Sequence, residues 1–158
     1  MNQQISTKSI ARIAAIQTLY QFASSKNTPD INSVALKIKE FYKDINFKSD
    51  HDIDQKSKLK LKPSYSYLDE LVKYTHDNLL EIDKAISQFL TKSWTMANLP
   101  MLLHAVLRVG ICELTYFPET PKKVIINEYT DIANEMLDEN EIGFVNSILH
   151  NYAQSRQE

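Results

Sequence analysis

The sequence contains very little glycine or cysteine, and both shortages exclude kinds of fold and site. Gly110 and Gly143 are the only glycines in 158 residues, so few positions can adopt positive φ. This argues against tight β-hairpins, a β-sandwich, a Walker loop and a dinucleotide-binding fingerprint. The single Cys112 can form neither an internal disulfide nor a cysteine-based zinc site, which fits a reducing compartment.

The chain also lacks a long apolar run. Its longest candidate, residues 99–112, is interrupted by His104 and Arg108, whereas a membrane-spanning helix needs about 20 apolar residues. The first eight residues are polar and contain no signal-peptide core. With 43% apolar residues the chain can nevertheless bury a core. We therefore expect one domain over residues 1–158, located in the cytoplasm and without a membrane partner.

The net charge of −2 conceals a gradient along the chain. Residues 1–29 contain Lys8, Arg12 and Lys26 and no carboxylate. Residues 113–141 contain eight carboxylates against two lysines, a local balance of −6. Such a polarised molecule could offer one end to phosphate and the other to a basic protein.

The spacing of apolar residues predicts helices throughout the chain. In the first helix, Ile13, Ile16, Leu19, Tyr20 and Ala23 fall on one arc, with Lys8 and Arg12 along its edge. The charged stretch 46–64 is interpreted as a mobile loop. Two helix starts are predicted from capping patterns: Thr120 as N-cap before Pro121, and Asp138 with Glu141 as a capping box. The predicted helices cover residues 6–22, about 33–45, 65–90 with a possible break near 77–78, 99–116, 121–136 and 138–154.

Five parts of the sequence carry a recognisable pattern, and in order along the chain they are residues 12–20, Trp94, 105–114, 121–128 and 144–149. Together they resemble the family of the transcription antitermination factor NusB. The resemblance implies an all-α fold of about seven helices in two packed small bundles, with no cofactor and no catalytic chemistry. It further implies that the protein pairs with a ribosomal small-subunit protein, NusE. The pair would bind boxA of nascent ribosomal RNA and join the RNA polymerase antitermination complex.

Five residues are candidate RNA contacts. Lys8 and Arg12 can meet phosphate oxygens, and the alternative is an ordinary solvated face. Phe144 lies at the edge of the apolar stripe of the last helix, where a base could stack, although core packing is the commoner role of Phe. Lys122 and Lys123 lie at a helix N-terminus, where a bound phosphate would offset the unfavourable position of two cations; solvation alone is the alternative.

Arg108 is interpreted as a structural residue. A guanidinium in the middle of the most apolar helix needs an anionic partner or a route to water. Glu113 points about 140° away around the helix, so Glu128 on the next helix is the predicted partner. No metal site is predicted, because the four histidines show no metal-like spacing and residues 50–54 lack the glycine and terminal Glu of a calcium loop. No nucleophile motif indicates an enzyme.

Two alternatives to an RNA-binding adaptor remain open at this point. The chain could be a helical protein–protein interaction module with little RNA affinity of its own. It could also be an orphan domain of the kind that precedes some RNA methyltransferases, although no glycine-rich cofactor half follows. The oligomeric state, the face that docks the partner and the role of residues 46–64 are left open.

Overall fold

The structure, a computed structural model, describes residues 6–27, 29–50 and 61–156, and all regular secondary structure in them is helical. This confirms the predicted all-α class with about seven helices. Within the described residues none of the helices is both long and apolar enough to span a membrane. The helices are α1 (Thr7–Ser24), α2 (Ile31–Asp50), α3 (Tyr65–Asp77), α4 (Leu79–Gln88), α5 (Met101–Tyr116), α6 (Lys122–Met136) and α7 (Glu139–Ser155).

The chain forms two compact units, residues 1–72 and residues 73–158. In the first unit α1 packs against α2. Ile16 and Leu19 of α1 are fully buried, and the hydroxyl of Tyr42 on α2 donates to Gln17 Oε1 over 2.8 Å. This apolar contact with one polar link fixes the first two helices to each other.

The first helix is buried on more sides than its predicted arc. Ala11, Ala14 and Ala15 are completely buried, whereas Tyr20 is 39% exposed. Alanine side chains are small, so other segments of the protein can pack closely against α1. They do so on faces of the helix that the apolar spacing predicted to be exposed to solvent. The prediction that the first helix buries one face only is therefore wrong. As a result, Arg12 does not lie at the exposed edge of a single buried face.

In the second unit α5 lies at the centre, packed against α4, α6 and α7. Its close approach to α7 depends on Gly110. A Cβ atom at this position would lie only 3.0 Å from Leu149 Cδ2 and 3.5 Å from the ring of Tyr129. A larger residue would therefore push Leu149 aside, as expected for overpacking of a dense interior.

Helix boundaries settle one alternative, confirm one prediction and correct another. Of the two alternatives for residues 65–90, the structure has two helices with a break, because Asn78 leaves helical geometry with φ −122° and ψ 25°. The capping box of Asp138 and Glu141 is also present. Thr120 is not the N-cap of α6, because Pro121 has ψ 138° and its carbonyl accepts the first helical hydrogen bond, from Ile125.

The predicted mobile loop begins too early. Residues 46–50 continue α2 as regular helix, so this part of the prediction is wrong. Asn46 Nδ2 also donates to the carbonyl of Leu61 over 3.2 Å. Residues 51–60 lie outside the described residues, and residues 61–64 are non-helical. Charge spacing alone missed the helical extension because α2 carries many polar residues on its exposed side.

Candidate nucleic-acid interface

The beginning of α1 is joined to the beginning of α3 by backbone hydrogen bonding. The backbone N–H of Ser64 donates to the carbonyl of Thr7 over 2.9 Å. Ser64 Oγ in turn accepts from the N–H of Tyr67 over 3.3 Å, as a side chain at a helix start commonly does. The cations near the start of α1 therefore lie close to the tyrosine in the first turn of α3.

Tyr67 brings Lys8 and Arg12 together. Lys8 Nζ lies 5.1 Å from the centroid of the Tyr67 ring, and Arg12 Cζ lies 5.7 Å from it. Both distances are within the range of cation–π attraction. Lys8 is exposed. Because an aromatic ring carries no net charge, it holds the lysine without neutralising it, and Lys8 can still attract phosphate.

Arg12 is not the exposed phosphate ligand that the sequence analysis expects. Its side chain is only 3% exposed, so direct contact with RNA at this position is contradicted by its burial. The cause is the burial of α1 on several sides, which places Arg12 inside rather than along an open edge. Its contact with the Tyr67 ring gives it a structural role beside Lys8.

Phe144 lies beside Trp94, an arrangement that the sequence analysis did not foresee. The two ring centroids are 5.6 Å apart and the ring planes are tilted by 30°. Both side chains are half-buried, so part of this aromatic pair is accessible. Next to it, a Cβ atom added at Gly143 would meet nothing within 4 Å. RNA contact at Phe144 stays a prediction.

Lys122 and Lys123 lie at the N-terminus of α6, as predicted, and Lys123 is exposed. The structure does not bring them to Phe144. Helices α6 and α7 form a hairpin in which Asn146 Nδ2 donates to Thr130 Oγ1 over 3.0 Å. Phe144 lies on α7 close to this hydrogen bond. The two lysines lie about two helical turns, roughly 12 Å, from Thr130 toward the N-terminus of α6. They could therefore serve only as a separate phosphate contact.

Arg108 pairs with Asp83 of α4, so the prediction of Glu128 as its partner is wrong. Arg108 Nε donates to Asp83 Oδ1 over 2.9 Å, and Nη2 donates to Oδ2 over 2.7 Å. His104 Nε2 lies 2.8 Å from Asp83 Oδ1. His104 and Arg108 are four residues apart on α5, so both face α4 from the same side of the helix. The structural role assigned to Arg108 fits this bidentate pair.

Two side chains of α5, Arg108 and His104, determine the pKa of Asp83. Burial alone would raise the pKa of Asp83, but hydrogen bonds from Arg108 and His104, together with their charges, lower the pKa to about 2. Asp83 is therefore a carboxylate over the whole physiological range. The side chains of Asp83, His104 and Arg108 are only 27%, 17% and 14% exposed, so this charge cluster is largely shielded from solvent.

Glu113 has an environment that sequence reasoning missed. It is completely buried and accepts a hydrogen bond from the hydroxyl of Tyr129 over 2.8 Å. The sequence did contain one indication of this environment. Glu113 lies five residues after Arg108 and therefore points about 140° away from it around α5, which turns it from α4 toward α6. Among the residues that the structure describes, no cluster of three or more His, Cys, Asp or Glu side chains could hold a metal ion.

The family model described as "NusB family" matches residues 9–154. The chain belongs to the NusB family. Among curated relatives, the transcription antitermination protein NusB of Rickettsia rickettsii (strain Sheila Smith) is 45% identical over 152 residues, covering 96% of this chain and 94% of the relative. The protein of the same name from Rickettsia felis is 46% identical over 153 residues, with coverage of 97% and 95%.

Solved structures of NusB proteins share the fold. T. maritima NusB is 25% identical with a TM-score of 0.71, and the alignment covers 96% of this chain and 93% of that one. A second structure contains the antitermination factors NusB and NusE in complex with dsRNA. It has a TM-score of 0.72, 20% identity and coverage of 93% and 96%, and it supports the fold alone.

Proposed function

We propose that this NusB-family chain acts in transcription antitermination as an RNA-binding adaptor without a catalytic step. It binds boxA of nascent ribosomal RNA together with NusE and joins the RNA polymerase antitermination complex, which supports processive transcription of ribosomal RNA. The observation that carries the proposal is 45% identity to a curated antitermination protein across 96% of the chain. NusE and RNA are named as partners because a NusB protein of the same fold has been solved with NusE and dsRNA.

The geometry supports a modest RNA affinity that the partner increases. In the first unit Lys8 is an exposed cation on the Tyr67 ring, suited to a phosphate oxygen. In the second unit the half-buried Phe144 ring can stack on an unpaired base. Lys122 and Lys123 add a further phosphate contact at the N-terminus of α6. Few phosphates are neutralised in this way, so the second protein is needed for tight binding.

The direct test is a titration of fluorescently labelled boxA RNA with the full chain, followed by anisotropy, with and without NusE. We expect binding that NusE strengthens and that weakens between about 50 and 200 mM salt, because phosphate contacts release counterions. Absence of NusE-enhanced binding at the lower salt concentration would contradict the proposal. That result would favour the protein–protein interaction module.

Two variants locate the RNA contacts. Phe144→Ala should weaken the ternary complex about 5-fold or more, because one base loses its stacking partner. Lys8→Ala should weaken it less and should reduce the salt dependence by one phosphate contact. The matched controls are Phe41→Ala, which removes another exposed aromatic ring, and Lys26→Ala, which removes another exposed cation. Unchanged affinity for both Phe144→Ala and Lys8→Ala would rule out both proposed RNA contacts.

A further inference from the structure

Two lysines of α2 contact two residues of α3, and each lysine with its partner is called a rung below. Lys39 forms an ion pair with Asp69, and Lys43 Nζ lies 5.3 Å from the centroid of the Tyr65 ring. The two lysines are four residues apart on α2, and their two partners are four residues apart on α3. Residues with this spacing share one face of a helix, so the rungs are neighbours separated by one turn.

The two rungs differ in the charge that they leave exposed. The carboxylate of Asp69 neutralises Lys39, whose side chain is 24% exposed. Tyr65 attracts the ammonium group of Lys43 but carries no charge. Lys43 is exposed, and within the described part of the chain no carboxylate lies at ion-pair distance from it. A carboxylate in place of Tyr65 would join the two helices equally well. Tyr65 differs from a carboxylate in leaving the charge of Lys43 uncompensated.

The Lys43–Tyr65 rung lies at the same end of α3 as the contact between Lys8 and Tyr67, although two residues with this spacing point to different sides of a helix. Tyr65 and Tyr67 are the first and third residues of α3, and the Ser64–Thr7 hydrogen bond fixes this end of α3 to α1. Each tyrosine carries a lysine over its ring. The first turn of α3 contains no acidic residue, so the partial positive charge of the helix N-terminus adds to that of the lysines.

We infer that Lys43 and Tyr65 form a second contact for single-stranded RNA, separate from the one at Lys8, which takes the phosphate and the unpaired base of one nucleotide. The inference rests on the proposed RNA-binding function. Exposed cations interleaved with aromatic rings match the chemistry of an RNA strand, in which phosphates alternate with flat bases. Tyr65 is half-buried, so part of its ring remains accessible to a base while Lys43 lies over it.

The test compares Lys43→Ala with Lys39→Ala in the full chain. Both variants lower the net charge by one unit and lie one turn apart on the same face of α2. Each is titrated with labelled single-stranded RNA that carries boxA and flanking nucleotides, with NusE present. Lys43→Ala should weaken binding about 5-fold and reduce the slope of log affinity against log salt by about 0.7. Lys39→Ala should change affinity by less than about 2-fold, because the ion pair with Asp69 already keeps its ammonium group from contacting a phosphate.

A second pair of variants tests the ring. Tyr65→Phe keeps the aromatic face and should bind like the unaltered chain, whereas Tyr65→Leu should lose about 5-fold or more in affinity. Thermal unfolding followed by circular dichroism checks that each variant is folded. Equal affinities of Lys43→Ala and Lys39→Ala, with normal binding by the unaltered chain, would overturn this inference and leave the proposed function intact. Failure of the unaltered chain to bind this RNA at all would overturn both.

Discussion

The two units of the molecule hold their cations in different ways. In residues 73–158, Arg108 is held by the carboxylate of Asp83 and largely shielded from solvent. In residues 1–72, Lys8 and Lys43 are held by tyrosine rings and remain exposed. A carboxylate neutralises the cation that it fixes, whereas an aromatic ring fixes the cation and leaves its charge available. The comparison therefore separates a cation that stabilises the fold from cations available to RNA.

Replacing Arg108 should produce the largest effect. Arg108→Met keeps much of the side-chain volume but leaves Asp83 without its bidentate partner. We expect the free energy of unfolding to fall by about 2–3 kcal/mol, because a shielded charge loses its strongest hydrogen bonds. Urea unfolding followed by circular dichroism measures this change. RNA affinity should stay within about 2-fold under conditions where the variant is folded, and a stable variant that loses only RNA affinity would break the comparison.

Acid should remove the same stabilisation gradually. The pKa of Asp83 is about 2 in the folded chain, against an ordinary value of 3.8. Since the folded pKa is lower, the stabilisation is complete well above pH 3.8 and is lost as the pH falls toward 2. The loss should amount to about 2 kcal/mol between roughly pH 5 and pH 2.

The matched control for the acid measurement is Asp83→Asn, which cannot ionise. Its free energy of unfolding should depend less on pH over that range than that of the unaltered chain. Unfolding curves at several pH values give the difference between the two proteins. If their pH dependences were parallel, the Asp83 cluster would not contribute to acid stability.

The smallest effect on stability is expected at Lys8. Lys8→Met removes one exposed cation–π contact, which is worth about 1 kcal/mol or less. The free energy of unfolding should therefore change little, while RNA affinity in the presence of NusE should fall. This is the reverse of the result expected for Arg108→Met. A loss of stability as large as that of Arg108→Met would show that tyrosine-held cations are also structural.

The sequence was a good guide to features that depend on neighbouring residues. Helical spacing predicted the all-α class, and local capping chemistry predicted the Asp138–Glu141 box. The apolar spacing over residues 65–90 allowed one helix or two, and the structure has the break at Asn78. Each of these features is determined within one or two helical turns, where the order of residues and the geometry correspond directly.

Contacts between distant residues were less predictable. Asp83 lies 25 residues before Arg108, and nothing in its own surroundings distinguished it from the other carboxylates of the chain. The burial of Arg12 depends on how closely other segments of the protein pack against the alanines of α1. Tyr67 was not singled out because its importance comes from the Ser64–Thr7 hydrogen bond, which joins two separate helices. These features require knowledge of which helices meet.

The burial of Cys112 has a practical consequence for observing this protein at work. It is the only cysteine, and burial raises the pKa of its thiol to about 12, so it presents almost no reactive thiolate at neutral pH. A fluorophore could therefore be attached selectively to a cysteine introduced by Gly143→Cys, where the added side chain has open space. Such a dye would stand next to Phe144 and show in real time whether a transcript reaches this ring.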